Sequence, residues 1–149
     1  MGLDPMAGET RRVYRPPMSH HSHVTRLLLV EDHADTAATL IRLLKESGHE
    51  VIHAAGVADA AIVAQREMSG TGLDLVLGDL DLPDGSGLEM MREFARRYGL
   101  RGIAITGLGT NFDRMESAEA GFTRHLTKPF TIDTLRRAIS EMLQPLAQR

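Results

Sequence analysis

Residues 75–87 read LVLGDLDLPDGSG: an apolar run that closes on Asp79 and Asp81, followed by a turn built from Pro83, Asp84, Gly85 and Gly87. With Leu73 and Asp74 ahead of it, the run is a strand, and the Pro/Gly cluster ends it. Three acids in six residues leave three explanations open. One is a nucleophilic aspartate with a second carboxylate two residues on, as in a phosphohydrolase. Another is a phosphoacceptor whose turnover other proteins control. The third is a strand that simply ends in a polar turn, since Asp, Gly and Pro are the residues turns prefer.

Outward from this stretch, short apolar runs alternate with helical periodicity, the pattern of a parallel sheet covered by helices. LLLV (27–30) predicts a buried first strand. Asp35 is placed to cap a helix with Ala37, Leu40, Ile41 and Leu44 on its apolar face, and Gly48 suits its end. EVIHA (50–54) predicts the second strand, VADAAIVAQREM (57–68) a helix stopped by Gly70 and Gly72, and LDLVLGD (73–79) the third strand. LEMMREFARRY (88–98) places Leu88, Met91, Ala95 and Tyr98 on one face, with one of Met90 and Met91 in the core and its neighbour exposed. GIAIT (102–106) is the fourth strand; a weaker helix runs from about Asn111 to Ala120; RHLTK (124–128) is the fifth strand. Thr131 caps a last helix with Ile132, Leu135, Ile139 and Met142 as its stripe. The expected fold is α/β: a doubly wound (βα)5, flavodoxin-like three-layer sandwich whose parallel five-stranded sheet runs in the order 2-1-3-4-5.

The 149 residues fit one domain with a core, and 4% aromatic content makes that core aliphatic. The absence of cysteine excludes disulfides, thiolate metal sites and cysteine nucleophiles, and accords with a cytoplasmic location. No apolar run approaches the roughly 20 residues of a membrane helix. A net charge of -3 offers no bulk attraction to nucleic acid, so neither membrane nor nucleic acid is an expected direct partner. The first segment differs from the rest: it carries Arg11, Arg12, Arg15 and Arg26 against Asp4 and Glu9, with Pro16, Pro17 and HHSH at 20–23. Residues 1–25 therefore read as a disordered linker or expression-derived tail, 26–143 as the domain, and 144–149 as a short C-terminal tail.

In a doubly wound sheet, ligands bind beyond the carboxyl ends of the strands. There the sequence places Glu31 and Asp32, Asp79, Thr106 and Lys128, from four strands, while the second strand ends in alanines. Converging carboxylates raise one another's pKa unless a cation compensates. Mg2+ suits such a set, because it takes hard oxygen ligands and needs only one or two carboxylates beside phosphoryl oxygens. The cation, the Lys128 ammonium and the Thr106 hydroxyl can together hold the oxygens of a transferring phosphoryl group while the Asp79 carboxylate attacks.

These residues, in LLLVEDH, DLVLGDLDLPDGSG, GIAITG and HLTKPF, resemble the receiver domain of two-component response regulators and hybrid histidine kinases, over about Arg26 to Leu143. The resemblance implies that Asp32 and Asp79 bind Mg2+, with the main-chain carbonyl of Asp81 also a ligand and Glu31 assisting. It implies further that Lys128 pairs with the phosphoryl group, that Thr106 bonds to it after phosphorylation, and that the Lys128–Pro129 peptide is cis. The implied donor is a histidine kinase or histidine phosphotransfer protein, with a possible homodimer through the last helices. AGFTRHLTKPF is closest to the C-terminal receivers of hybrid sensor kinases, the alternative being a stand-alone regulator. Three positions depart from the family pattern. His125 stands where an aromatic switch residue is usual, Gly107 follows the hydroxyl, and Gly78 precedes Asp79. His125 becomes a switch candidate because an imidazole changes state near neutral pH.

GDLDLP also resembles the Asp-x-Asp motif of haloacid-dehalogenase-type phosphatases, but the acidic pair lies upstream of Asp79 rather than downstream, and Pro83 takes the place of the small residue expected four after the nucleophile. Asp81 is left to supply a carbonyl and to tune phosphoryl lifetime, and Asp84, Gly85 and Gly87 to shape the loop. His33, His49 and His53 read as surface or core-edge residues.

Overall fold

The structure, a computed structural model, describes residues 23–107 and 113–144. Most of the two expected tails, and the expected start of the fourth helix at Asn111, lie outside them. Five parallel strands form the sheet: β1 (Arg26–Val30), β2 (Glu50–Ala54), β3 (Leu75–Asp79), β6 (Gly102–Thr106) and β7 (Phe122–Thr127). A two-stranded antiparallel hairpin, β4 (Asp81–Leu82) and β5 (Gly85–Ser86), follows β3. The order β2-β1-β3-β6-β7 is the predicted 2-1-3-4-5 with the hairpin set aside. Five helices complete the alternation: α1 (Ala34–Glu46), α2 (Val57–Met68), α3 (Gly87–Tyr98), α4 (Arg114–Ala120) and α5 (Ile132–Met142).

Strand alternation divides the core in two. Leu27, Leu29, Leu75, Leu77, Ile103 and Ile105 point to the side where α1 and α5 lay down Leu44, Leu135 and Ile139. Leu28, Val30, Val76 and Ala104 point to the other, against Val63 of α2 and Met90, Met91 and Phe94 of α3. Buried on both faces, the central strands read as unbroken aliphatic runs. Among the described residues no helix is long and apolar enough to cross a membrane.

Three local expectations need correction. Asp35 does not cap α1: the helix starts at Ala34, its N-cap is His33 with no side-chain cap bond, and Asp35 lies in the first turn, where a carboxylate suits the helix dipole. The buried face of α3 is Gly87, Met90, Met91 and Phe94, so both methionines are core, while Leu88, Ala95 and Tyr98 flank it half-buried. Gly78 is the reason, since Met90 Cε lies only 3.5 Å from where a Cβ would stand on that strand residue. The last strand begins at Phe122 rather than 124, because the fully buried Phe122 ring packs over Gly78 and Gly102. It ends at Thr127, and Lys128 follows it, with its N–H donating to the Thr106 carbonyl at 2.7 Å.

Candidate functional site

The carboxyl ends of β1, β3, β6 and β7 converge, as the topology requires, and bring together the side chains that follow them. Glu31 leaves β1 with its main chain fixed twice. Its N–H donates to the Ala54 carbonyl at 3.0 Å, and its own carbonyl lies 2.8 Å from His53 Nε2. The carboxylate is buried, 2% exposed, and fully engaged. Oε1 accepts from Lys128 Nζ at 3.1 Å, and Oε2 accepts from the His33 N–H at 3.1 Å and lies 3.1 Å from His33 Nδ1. Burial alone would push this acid up, but the His33 N–H and the Lys128 ammonium outweigh it and hold the pKa below the ordinary glutamate value. Glu31 is an anion at neutral pH.

Asp79, at the end of β3, is treated differently by the same lysine. Its Oδ2 stands 4.0 Å from Lys128 Nζ, and its Oδ1 accepts the Asp81 N–H at 3.2 Å. Burial raises its pKa first, the Asp81 N–H and Lys128 oppose, and the charges of Glu31 and Asp32 push it further up. The net direction is upward, so one ammonium serves a crowded set of carboxylates and leaves Asp79 under-compensated. Asp32, partly exposed, lies 3.7 Å from His33 Nδ1. Thr106 is 1% exposed at the end of β6, and its hydroxyl has no hydrogen-bond partner among the described residues. A buried hydroxyl left unpaired costs about 1–3 kcal/mol, which a ligand oxygen would recover.

Glu31, Asp32 and His33 each offer a ligand atom within 4.8 Å of the others, and Lys128 Nζ stands 3.1 Å from Glu31 and 4.0 Å from Asp79. His33, read from the sequence as a surface residue, is exposed as read, and its Nδ1 lies 3.1 Å from Glu31. Only the bend from β1 into α1 turns its ring back onto Glu31. The donor set fits a hard divalent cation: the carboxylates of Glu31, Asp32 and Asp79, the last with a raised pKa, at strand ends that also carry the Thr106 hydroxyl. Asp81 is exposed on the hairpin, opposite Ser86. Behind the hairpin, Gly87 abuts the Asp79 carbonyl so closely that a Cβ would fall 2.0 Å from that oxygen; no other residue fits there without moving the strand end. The Lys128–Pro129 peptide is cis.

His125 lies on β7, half-buried, with Nε2 2.8 Å from the hydroxyl of the fully buried Ser117 on α4. Burial, and then the charge of Arg114, lower its pKa. A groove of about 410 Å³ runs beside the site between α1 and the segment after β7, lined by Thr36, Leu40, Lys128, Pro129, Phe130 and Ile132 among others.

Residues 27–140 match the family model of the response regulator receiver domain. The chain is 33% identical over 104 residues to the transcriptional regulatory protein VxrB of Vibrio cholerae serotype O1, covering 70% of this chain and 40% of that protein. It is 31% identical over 121 residues to the sensory transduction protein RegX3 of Mycobacterium tuberculosis, covering 81% and 52%. The chain spans about half the length of the curated relatives it matches. Among solved structures, the receiver domain of the TMAO respiratory system response regulator TorR superposes with a TM-score of 0.71 at 28% identity, covering 80% of this chain and 96% of that one. A response regulator receiver domain protein from Clostridium thermocellum has a TM-score of 0.74 at 23% identity, covering 80% and 94%.

Proposed function

The chain belongs to the response regulator receiver domain family, and on that premise we propose that Asp79 accepts a phosphoryl group from the phosphohistidine of a histidine kinase or histidine phosphotransfer protein. The observation that carries this is Lys128 Nζ, 3.1 Å from Glu31 and 4.0 Å from an Asp79 oxygen that accepts no bond from the Asp81 N–H. Glu31 holds the ammonium in place, and the free Asp79 oxygen is left to attack. The new bond is Asp79 Oδ2 to phosphorus. The bond that breaks is phosphorus to the donor's imidazole nitrogen, which leaves with the electron pair and takes up a proton. Lys128 then meets one phosphoryl oxygen, and the Thr106 hydroxyl, without a partner among the described residues, donates to another. Asp32, Asp79 and the Asp81 carbonyl would hold Mg2+, with Glu31 assisting. When bound, the ion supplies charge neutralisation to the carboxylates and the phosphoryl oxygens.

Thr106 and Lys128 join the pocket to β6 and the end of β7, and His125 joins β7 to α4. The phosphorylated state would be read on that side, including by a second copy through the last helices. The groove beside α1 offers apolar surface at the rim of the site for the donor. The names of the relatives support a regulator as the parent protein, ahead of the hybrid sensor kinase suggested by AGFTRHLTKPF; either context is cytoplasmic. The test is incubation with Mg2+ and a small acyl phosphate, followed by intact-mass spectrometry. We expect an adduct of one phosphoryl group on the wild type and none on Asp79→Asn. An unmodified wild type, with a donor that labels another receiver, would sink the proposal.

A further inference from the structure

Helix α2 has no cap of its own. Its N-cap is Gly56, which has no side chain, and its first N–H groups would be left without partners. Asp84, from the tip of the hairpin after β3, fills that role from 27 positions away in sequence. Its Oδ1 accepts the Val57 N–H at 2.8 Å and its Oδ2 accepts the Ala58 N–H at 3.0 Å. A carboxylate at a helix N-terminus also meets the positive end of the helix dipole. The absence of a side chain at Gly56 makes this possible: a Cβ there would stand 2.7 Å from Asp84 Oδ1. The φ of Gly56 is −166°, extended backbone open to any residue, so space and not conformation calls for glycine. The hairpin tip makes a second approach to the same helix turn, with Val57 Cγ2 3.3 Å from where a Cβ of Gly85 would lie.

The other end of the hairpin is the phosphoacceptor site. Asp81 pairs across the hairpin with Ser86, and its N–H donates to Asp79 Oδ1 at 3.2 Å. Leu82, between Asp81 and Asp84, is buried in the core. A continuous set of contacts therefore runs from the first turn of α2 through Asp84 and the hairpin to Asp79. We infer that Asp84 is a positioning residue, a clamp from α2 that holds the Asp81 main chain in place for the cation. Without it the hairpin keeps the buried Leu82 and the approach of Gly85 to Val57 but loses both hydrogen bonds to α2, and the Asp81 carbonyl has more than one place to be.

This inference rests on the phosphoacceptor reading, and calorimetric Mg2+ titrations separate the two. Titrations of the wild type, Asp84→Ala, Gly56→Ala and the double variant, each paired with a melting curve, form a complete cycle. Asp84→Ala should raise the Mg2+ dissociation constant about tenfold, as loss of groups that orient ligands does. Gly56→Ala should raise it in the same direction by forcing Asp84 off the helix, and should add nothing in the Asp84→Ala background. A lower melting temperature with an unchanged dissociation constant would make Asp84 an ordinary helix cap and overturn the inference. So would additive effects of the two substitutions. Wild type that binds no Mg2+ and takes no phosphoryl group would instead overturn the reading of the site, and this inference with it. Should Asp84→Ala not fold, Gly56→Ala alone carries the test, and an unshifted constant there overturns the inference.

Discussion

The two ends of the sheet each set basic side chains among several acids, with opposite outcomes. At the amino ends of the strands, Arg26 Nε meets Glu50 at 2.9 Å, Nη2 meets Glu67 at 2.8 Å, Nη1 donates to the Gly72 carbonyl, and the Arg26 N–H reaches Asp74 at 2.8 Å. Hydrogen bonds from Arg26 and Arg66 hold Glu67 below its ordinary value, and Glu67 in turn raises Arg26. Both shifts favour the charged forms, the sign of a paired network. At the carboxyl ends, Lys128 satisfies Glu31 and stands off Asp79, and among the described residues nothing pairs with the Thr106 hydroxyl. A fork-shaped guanidinium with five donors suits the first task and a compact ammonium the second. The matched end holds the fold, and the unmatched end keeps free the interactions a phosphoryl group and a cation would complete.

Asp79→Asn should break the comparison most completely. It removes the proposed nucleophile, so phosphoryl uptake should fall to nothing by mass spectrometry. The stability change runs the other way. With a raised folded pKa, Asp79 makes the folded state more stable as pH falls through that value and less stable above it. The uncharged variant should therefore melt above the wild type at neutral pH in metal-free buffer; a lower melting temperature would mean that the acidic end is as well matched as the other.

Lys128→Met should come next. It leaves Glu31 buried without its ammonium, a charged hydrogen bond of about 1.5–3 kcal/mol. Phosphoryl uptake should slow sharply, and chemical denaturation should show the loss. Arg26→Met should cost stability alone, a fall in melting temperature on the order of 5 °C, with phosphoryl uptake per folded molecule unchanged. Slowed uptake in this variant would join two ends that the structure keeps apart.

The functional end was the more legible in sequence, for a physical reason. Aliphatic runs fix where β1, β3 and β6 end, and a doubly wound topology fixes which ends converge, so Glu31, Asp32, Asp79 and Thr106 could be placed by counting. The Arg26 network was invisible, because its partners come from the start of a strand, the end of a helix and loops 24 to 48 positions away and follow no period. Asp84 was read as a loop former, since no pattern links it to a helix whose N-cap is a glycine. Asp35 was taken for a cap because caps are chosen by backbone conformation, which residue type only suggests. Met90 and Phe122 were misplaced because their burial depends on Gly78 and Gly102 across the sheet, outside any local periodicity.

The smallest effect sharpens the comparison with one histidine toward each end. His49 lies just before β2, beside Arg136 and Ile139, and burial lowers its pKa. His125 is on β7, lowered by burial and then by Arg114. A histidine whose folded pKa lies below its unfolded value of about 6.5 leaves stability intact above that value. As pH falls below it, the unfolded chain takes the proton first, and stability drops until the folded value is passed. Thermal denaturation between pH 7.5 and 5.5 should therefore show falling stability in the wild type, and His49→Gln and His125→Gln should each flatten part of the fall, by about a degree or two in melting temperature. Phosphorylating Asp79 should then alter only the His125 part, because His125 contacts Ser117 on α4 and sits three residues before Lys128, while His49 lies toward the other end, beside Arg136 and Ile139. A change in the His49 part on phosphorylation would show that the two ends act as one unit.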